Sequence, residues 1–145
     1  KLNRLVYLAQ AEAIATTGEP LFEDCIEAWQ CGPVVPVVIH AFGVWGDTAI
    51  TGPTQHVEVK LDAARLIDSV AEEYGPLSAF GLVSLVRRPG SAWARVYAPR
   101  REAEITSDAI RASADVDASR PELFSATLDT VARNMPHALK MLETS

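Results

Sequence analysis

Apolar residues recur at helical intervals from the first residues of the chain. Leu2, Leu5, Val6, Ala9 and Ala13 share one face, Tyr7 and Leu8 widen it, and Thr17-Gly18 supplies a stop. The pattern predicts a helix already under way at residue 1, and Lys rather than Met at that position leads us to expect a further native segment before it. Pro20 and the acidic residues after it predict a short connection and then a brief helical turn through Ile26 and Trp29. A sharp turn is expected at Gly32-Pro33, because glycine accepts positive φ while proline removes a donor and biases the residue before it away from the α region. Pro36 suits the first turn of a helix through Val37, Val38, Ile39, His40, Ala41 and Phe42, which Gly43 and Gly46 end. Residues 47–60 carry Gly52-Pro53 and a weak alternation at Val57 and Val59, which predicts a loop with one short strand pair at most.

Helical spacing returns at Ala63, Leu66, Ile67, Val70 and Tyr74, with Asp62 as the expected N-cap and Gly75-Pro76 as the stop. Ser78 opens the next helix, in which Phe80, Leu82, Val83, Leu85 and Val86 are apolar nearly all round, the signature of a central helix. Arg87-Arg88-Pro89-Gly90 breaks it, Ser91 to Ala94 enters a short helix, and Ile105-Thr106-Ser107 begins another through Ile110. Last, Ser119 and Glu122 have capping-box spacing with Pro121 in the first turn. Behind them Phe124, Leu128, Val131, Met135, Ala138 and Leu142 form a seam that Pro136 should kink. The expected fold class is therefore mainly α: one compact helical domain with at most a short two-stranded β element.

With 145 residues, 48% of them apolar and 22% charged, the chain is sized and composed for one ordinary globular core. No apolar run approaches the roughly 20 residues that span a bilayer, and no charged-then-apolar signal segment opens the chain. A soluble, cytoplasmic protein without a membrane partner is expected. The net charge of −6 is unevenly spread. Residues 5–59 contain no Lys or Arg but seven carboxylates, Glu12, Glu19, Glu23, Asp24, Glu27, Asp47 and Glu58. Residues 75–101 invert this, with Arg87, Arg88, Arg95, Arg100 and Arg101 and no acid. Either the two regions attract each other within the fold, or one of them meets a partner of opposite charge.

No residue pattern points to catalysis, a metal or a cofactor. His40, His56 and His137 are isolated, and Cys25 and Cys31, with five residues between them, match no zinc or redox spacing and read as buried free thiols. A Cys31–His40 pair lacks a supporting local sequence, and Glu23-Asp24 and Glu72-Glu73 read as solvated faces. Phe80-Gly81-Leu82-Val83-Ser84 lacks nucleophile-elbow spacing, and there is no glycine-rich phosphate loop. What does stand out is arginine interleaved with Trp93 and Tyr97, a mixture suited to a protein hot spot or to stacking on bases. Overall acidity weakens nucleic-acid attraction, so protein binding leads and a DNA-contacting regulator using residues 87–101 is the alternative. The candidate partner-binding residues are Trp29, Gly32, Pro33, Arg87, Arg88, Trp93 and Arg95. For Trp29, Gly32 and Pro33 a structural role, with Trp29 packed beneath the Gly-Pro corner, is favoured over a direct contact.

Leu2 to Tyr7, Pro20-Leu21-Phe22, Glu27-Ala28-Trp29, Gly32-Pro33-Val34, Leu77-Ser78 and Trp93, in that order, resemble the Panacea domain of the SocA-like antitoxin family. Arg4 stands where that family usually has Lys. Where the family commonly has a His-Glu or Thr-His step before Pro-Trp, this chain reads Arg87-Arg88-Pro89-Gly90-Ser91-Ala92-Trp93. The resemblance covers about residues 1–113 and leaves 114–145 as a helical extension packed on the same domain. It implies an antitoxin that binds a cognate protein toxin encoded nearby, with delivery to a ClpXP-type protease as one mode of action. The late apolar seam could pack within the chain or between copies.

Overall fold

The computed structural model describes residues 1–43 and 60–116. The expected strand pair near Val57, the histidines His56 and His137, and the seam from Phe124 to Leu142 lie outside the described residues.

Helix α1 (Leu2–Thr17) ends at Gly18, whose φ of 76° places it in the left-handed cap that glycine adopts without a Cβ penalty. The helix is the hub of the fold, packing against four other helices or turns and one strand of the sheet. After a connection over residues 18–26 come two short strands, β1 (Glu27–Trp29) and β2 (Gly32–Val34), then α2 (Pro36–Phe42) with proline in its first turn. Helices α3 (Leu61–Tyr74), α4 (Ala79–Val86) and α5 (Ala92–Val96) follow. Strand β3 (Ala103–Glu104), helix α6 (Ser107–Arg111) and a 3-10 turn (Ala114–Val116) complete the described chain.

Three helices start on the hydroxyl caps that the sequence offers. Ser78, Ser91 and Thr106 each accept a hydrogen bond from the backbone N–H three residues on, which satisfies a donor the helix cannot pair internally. Helix α3 instead begins one residue before the expected cap, with Asp62 inside its first turn where a carboxylate meets the positive helix end.

The expected helical turn through Ile26 and Trp29 is not formed. Glu27–Trp29 is the central strand of a three-stranded antiparallel sheet ordered β2-β1-β3. Glu27, Ala28 and Trp29 pair with Val34, Pro33 and Gly32, and Glu27 and Ala28 also pair with Glu104 and Ala103. The chain reverses at Gln30-Cys31, ahead of the expected corner, and Gly32 is a strand residue. The cysteines differ from expectation as well: Cys25, just before β1, and Cys31, in the hairpin turn, are both exposed.

A single core joins these pieces. Tyr7, Leu8 and Ala11 of α1 meet Val70 and Tyr74 of α3, Leu82, Leu85 and Val86 of α4, Trp93 of α5, and Ile105 and Ile110 beyond. Each fully buried Leu or Ile contributes about 1.5–3 kcal/mol relative to an exposed one. The apolar character of α4 is used inward at Leu82, Leu85 and Val86, whereas Phe80 in its first turn stays 76% exposed.

One ionic arrangement crosses that core. Asp115, 1% exposed, accepts hydrogen bonds through Oδ2 from the Tyr7 hydroxyl at 2.5 Å and the Ala92 backbone N–H at 2.9 Å. Its Oδ1 lies 2.9 Å from Nη2 of Arg88, a charge contact rather than an aligned hydrogen bond. Arg88 also donates to the carbonyls of Leu85 and Ala114. The last described turn is thereby fastened to α1, α4 and the start of α5. Among the described residues, no helix is long and apolar enough to cross a membrane.

Candidate partner-binding site

Five of the seven residues singled out in the sequence converge on one corner. The end of α4 delivers Arg87, the tight turn through Gly90 (φ 81°) reverses the chain, and Ser91 caps the helix that carries Trp93. The Trp93 indole N–H donates to the Trp29 carbonyl at 2.7 Å, tying α5 to the hairpin across 64 positions of sequence. Arg87 places its guanidinium 4.7 Å from the centre of the Trp93 ring. Tyr97, one helical turn on, stacks with Trp93 at 4.6 Å between centroids and 15° between planes. Cation–π and aromatic contacts of this kind are each worth about 0.5–1.5 kcal/mol and fix the three side chains relative to one another.

Gly32 makes the corner close. Its φ of +117° is a conformation that side-chain-bearing residues rarely adopt, and a Cβ there would stand 3.1 Å from Val86 Cγ2 and 4.0 Å from Arg87 Cγ. Nearby, Arg4 donates from Nη2 to the Cys31 carbonyl at 2.9 Å, so the hairpin tip is held by α1 as well. The Trp29 indole N–H donates to Glu27 Oε2 at 2.6 Å, which orients that ring along the strand. Pro33 is buried in β2 opposite Ala28. Burial grades across the corner: Gly32, Pro33 and Trp93 are inside, Trp29 and Tyr97 are half-buried, and Arg87 faces solvent.

The other two arginines part company with it. The Arg88 side chain is only 9% exposed and faces Asp115, so its charge is neutralised within the fold and does not add to the surface. Arg95 is exposed and donates to the Ala112 carbonyl beyond α6, holding α5 to α6. Arg100 (φ 63°) and Arg101 lie exposed in the bridge that leads to β3. The basic segment is therefore divided among a core ion pair (Arg88), a helix tie (Arg95), a cation over the Trp93 ring (Arg87) and two exposed arginines before β3. Tyr97 and Arg4 complete the corner without having been among the candidates. The Trp93–Tyr97 spacing of four residues was a readable sign of a shared helical face, whereas nothing local in the sequence joins Arg4 to Cys31.

Among the described residues no group of three or more His, Cys, Asp or Glu could hold a metal ion. One thiol has a shifted acidity: desolvation first, then the charges of Glu104 and Glu27, push Cys25 above the usual thiol range. What the corner offers is an exposed arginine beside the half-buried rings of Trp29 and Tyr97, with Trp93 fixed beneath them, and Arg and aromatic residues are enriched in protein-binding hot spots.

Residues 2–94 match the family described as antitoxin SocA-like, Panacea domain. Among curated proteins, Antitoxin SocA of Caulobacter vibrioides (strain NA1000 / CB15N) is 30% identical over 104 residues, taking in 63% of this chain and 55% of that protein. The match thus spans about half the length of the curated relative. No solved structure matches the chain.

Proposed function

The chain belongs to the SocA-like antitoxin, Panacea domain family, and from that membership we propose that it is an antitoxin which neutralises a cognate protein toxin by direct contact. The observation that carries this reading is the family match over residues 2–94, which includes the corner of Trp29, Gly32, Arg87 and Trp93. The corner is suited to protein recognition because its rings are already fixed: Trp93 is held by the Trp29 carbonyl and stacked on Tyr97, so little side-chain freedom is lost on binding. Arg87 supplies an exposed charge and donors above the buried Trp93, and Trp29 and Tyr97 add half-buried rings. Gly32 and Pro33 shape the corner from within, and Arg88 and Arg95 support it through Asp115 and Ala112. The chain acts by binding rather than by catalysis.

A DNA-contacting role for residues 87–101 finds less support, since Arg88 is neutralised by Asp115 and Arg95 is engaged with a backbone carbonyl. Phosphate binding draws on free, clustered positive charge, and the net charge of −6 opposes it. Within the antitoxin reading, the finer step is handover of the bound toxin to a ClpXP-type protease. Toxin half-life with and without that protease separates handover from simple sequestration.

Co-expression with the products of the adjacent reading frames tests the proposal. One neighbour is expected to arrest growth alone and to be silenced by this chain, with Arg87→Glu weakening the rescue while leaving the chain folded. Neighbours that are harmless alone, or rescue that is identical in a chain lacking the arginine, would overturn respectively the antitoxin role and the corner as its contact.

A further inference from the structure

Away from the arginine corner, α1 and α3 run side by side, with the Lys1 ammonium donating to the Gly75 carbonyl at 2.7 Å to tie the start of one to the end of the other. Between them lies an open groove of about 340 Å³. Leu5, Val6 and Ala9 form one wall, Ile67 and Ala71 the other, and Phe22 of the connection completes it; every lining residue is apolar. Ile67 is 40% exposed and Ala71 is also open to solvent, so apolar surface is presented rather than packed away.

The charge around this groove is predominantly negative. Residues 1–26 and 61–74, which build it, carry eight carboxylates (Glu12, Glu19, Glu23, Asp24, Asp62, Asp68, Glu72 and Glu73) against three bases (Lys1, Arg4 and Arg65). Two of those bases are turned to the carbonyls of Gly75 and Cys31. Asp68 and Glu72, both exposed, directly follow the groove residues Ile67 and Ala71, and exposed Glu23 follows Phe22.

We infer that this groove is a second docking site, taking a helix of the toxin that has an apolar stripe flanked by Lys or Arg. The inference rests on the antitoxin reading and adds to it the chemistry of the partner. The cleft between two packed helices accepts the ridge of a third, and an amphipathic helix supplies apolar anchors at i, i+3 and i+4. Its basic flanks meet the acidic surround, which steers encounter as well as register. Charge selects this occupant over two others. A second copy docking through the same face brings the same acidic surround and is repelled. Residues 117–145 carry Asp117, Glu122, Asp129 and Glu143 against Arg120, Arg133 and Lys140, a net −1 that complements the acidic surround less than a helix with basic flanks does.

The test uses the full chain and the neighbouring product that it silences, with affinity, thermal midpoint and mass in solution measured on each variant. Ile67→Lys and Ala71→Lys, at exposed positions, are expected to weaken binding about 30-fold or more, the scale of a hot-spot loss, with the thermal midpoint and mass unchanged. Asp68→Lys combined with Glu72→Lys is expected to slow association and flatten its salt dependence. Full affinity in both groove variants would overturn the inference while leaving the antitoxin role intact, whereas a wild-type chain that binds no neighbour would remove that role itself. A lowered midpoint in Ile67→Lys would show that the chain's own residues cover the groove, and a changed mass would show that a second copy does; either overturns it.

Discussion

Replacing Asp115 with alanine removes the centre of the only charged arrangement seen in the described core, and its effect can be worked from the contacts. Three groups would lose their acceptor or counter-charge: the Tyr7 hydroxyl, the Ala92 N–H in the first turn of α5, and the Arg88 guanidinium. Breaking a buried ion pair by deleting one member costs about 3–5 kcal/mol, because the remaining charge is left in a poorly solvating interior. Arg88 keeps the carbonyls of Leu85 and Ala114, which argues for the lower end, about 3 kcal/mol. At roughly 3–4 °C per kcal/mol for a chain of this size, the thermal midpoint should fall by about 10 °C. Tyr7→Phe, which removes one donor and leaves the ion pair, should cost less, about 1.5 kcal/mol. Urea titration followed by circular dichroism gives each value. Asp115→Leu combined with Arg88→Met should recover much of the loss, since no unpaired charge remains buried. An Asp115→Ala chain within about 1 kcal/mol of wild type would refute the reasoning and show that the Ala114–Val116 turn is not part of the cooperative unit.

Gly32→Ala should destabilise by about 1–3 kcal/mol, because a strained φ is combined with a Cβ crowding Val86, and partner affinity should fall with it; an unchanged midpoint would contradict the geometry. Gln10, 2% exposed, accepts from the N–H groups of Leu21 and Phe22 and donates to the Phe22 carbonyl, so Gln10→Ala should cost about 1–3 kcal/mol and speed amide exchange at those two positions first. Unaltered exchange there would show that the connection is held by its side chains instead. Because the Cys25 thiol is pushed up, its protonated form persists as pH rises, and its alkylation rate should reach half its maximum only above about pH 8.5, where an ordinary thiol is half ionised. Glu104→Gln should bring the rise to lower pH, and a half-maximal rate at or below about pH 8.5 would refute the assignment.

Helices with local signals were legible. The stop at Gly18, the proline at the start of α2 and the hydroxyl caps at Ser78 and Ser91 are all written within a few residues of where they act. The sheet was not legible, because strands of two or three residues are too short to show an alternation and the third joins from far along the chain: Glu27 lies beside Glu104. For the site, convergence of Trp29 with Trp93 depended on a hydrogen bond between distant segments, and family order rather than periodicity brought those residues forward. Arg88 could not be told from Arg87 by sequence alone. Adjacent positions at a helix end point different ways, and only the place of Asp115 decides which arginine is drawn inside.

Calorimetric titration of the purified chain with the purified neighbouring product that arrests growth tests the central claim most directly. Direct neutralisation predicts saturable binding of fixed stoichiometry that weakens at least tenfold in Arg87→Glu, the loss of about 1.4 kcal/mol from one hot-spot contact. Rescue of growth in cells with no binding between the purified proteins would contradict it.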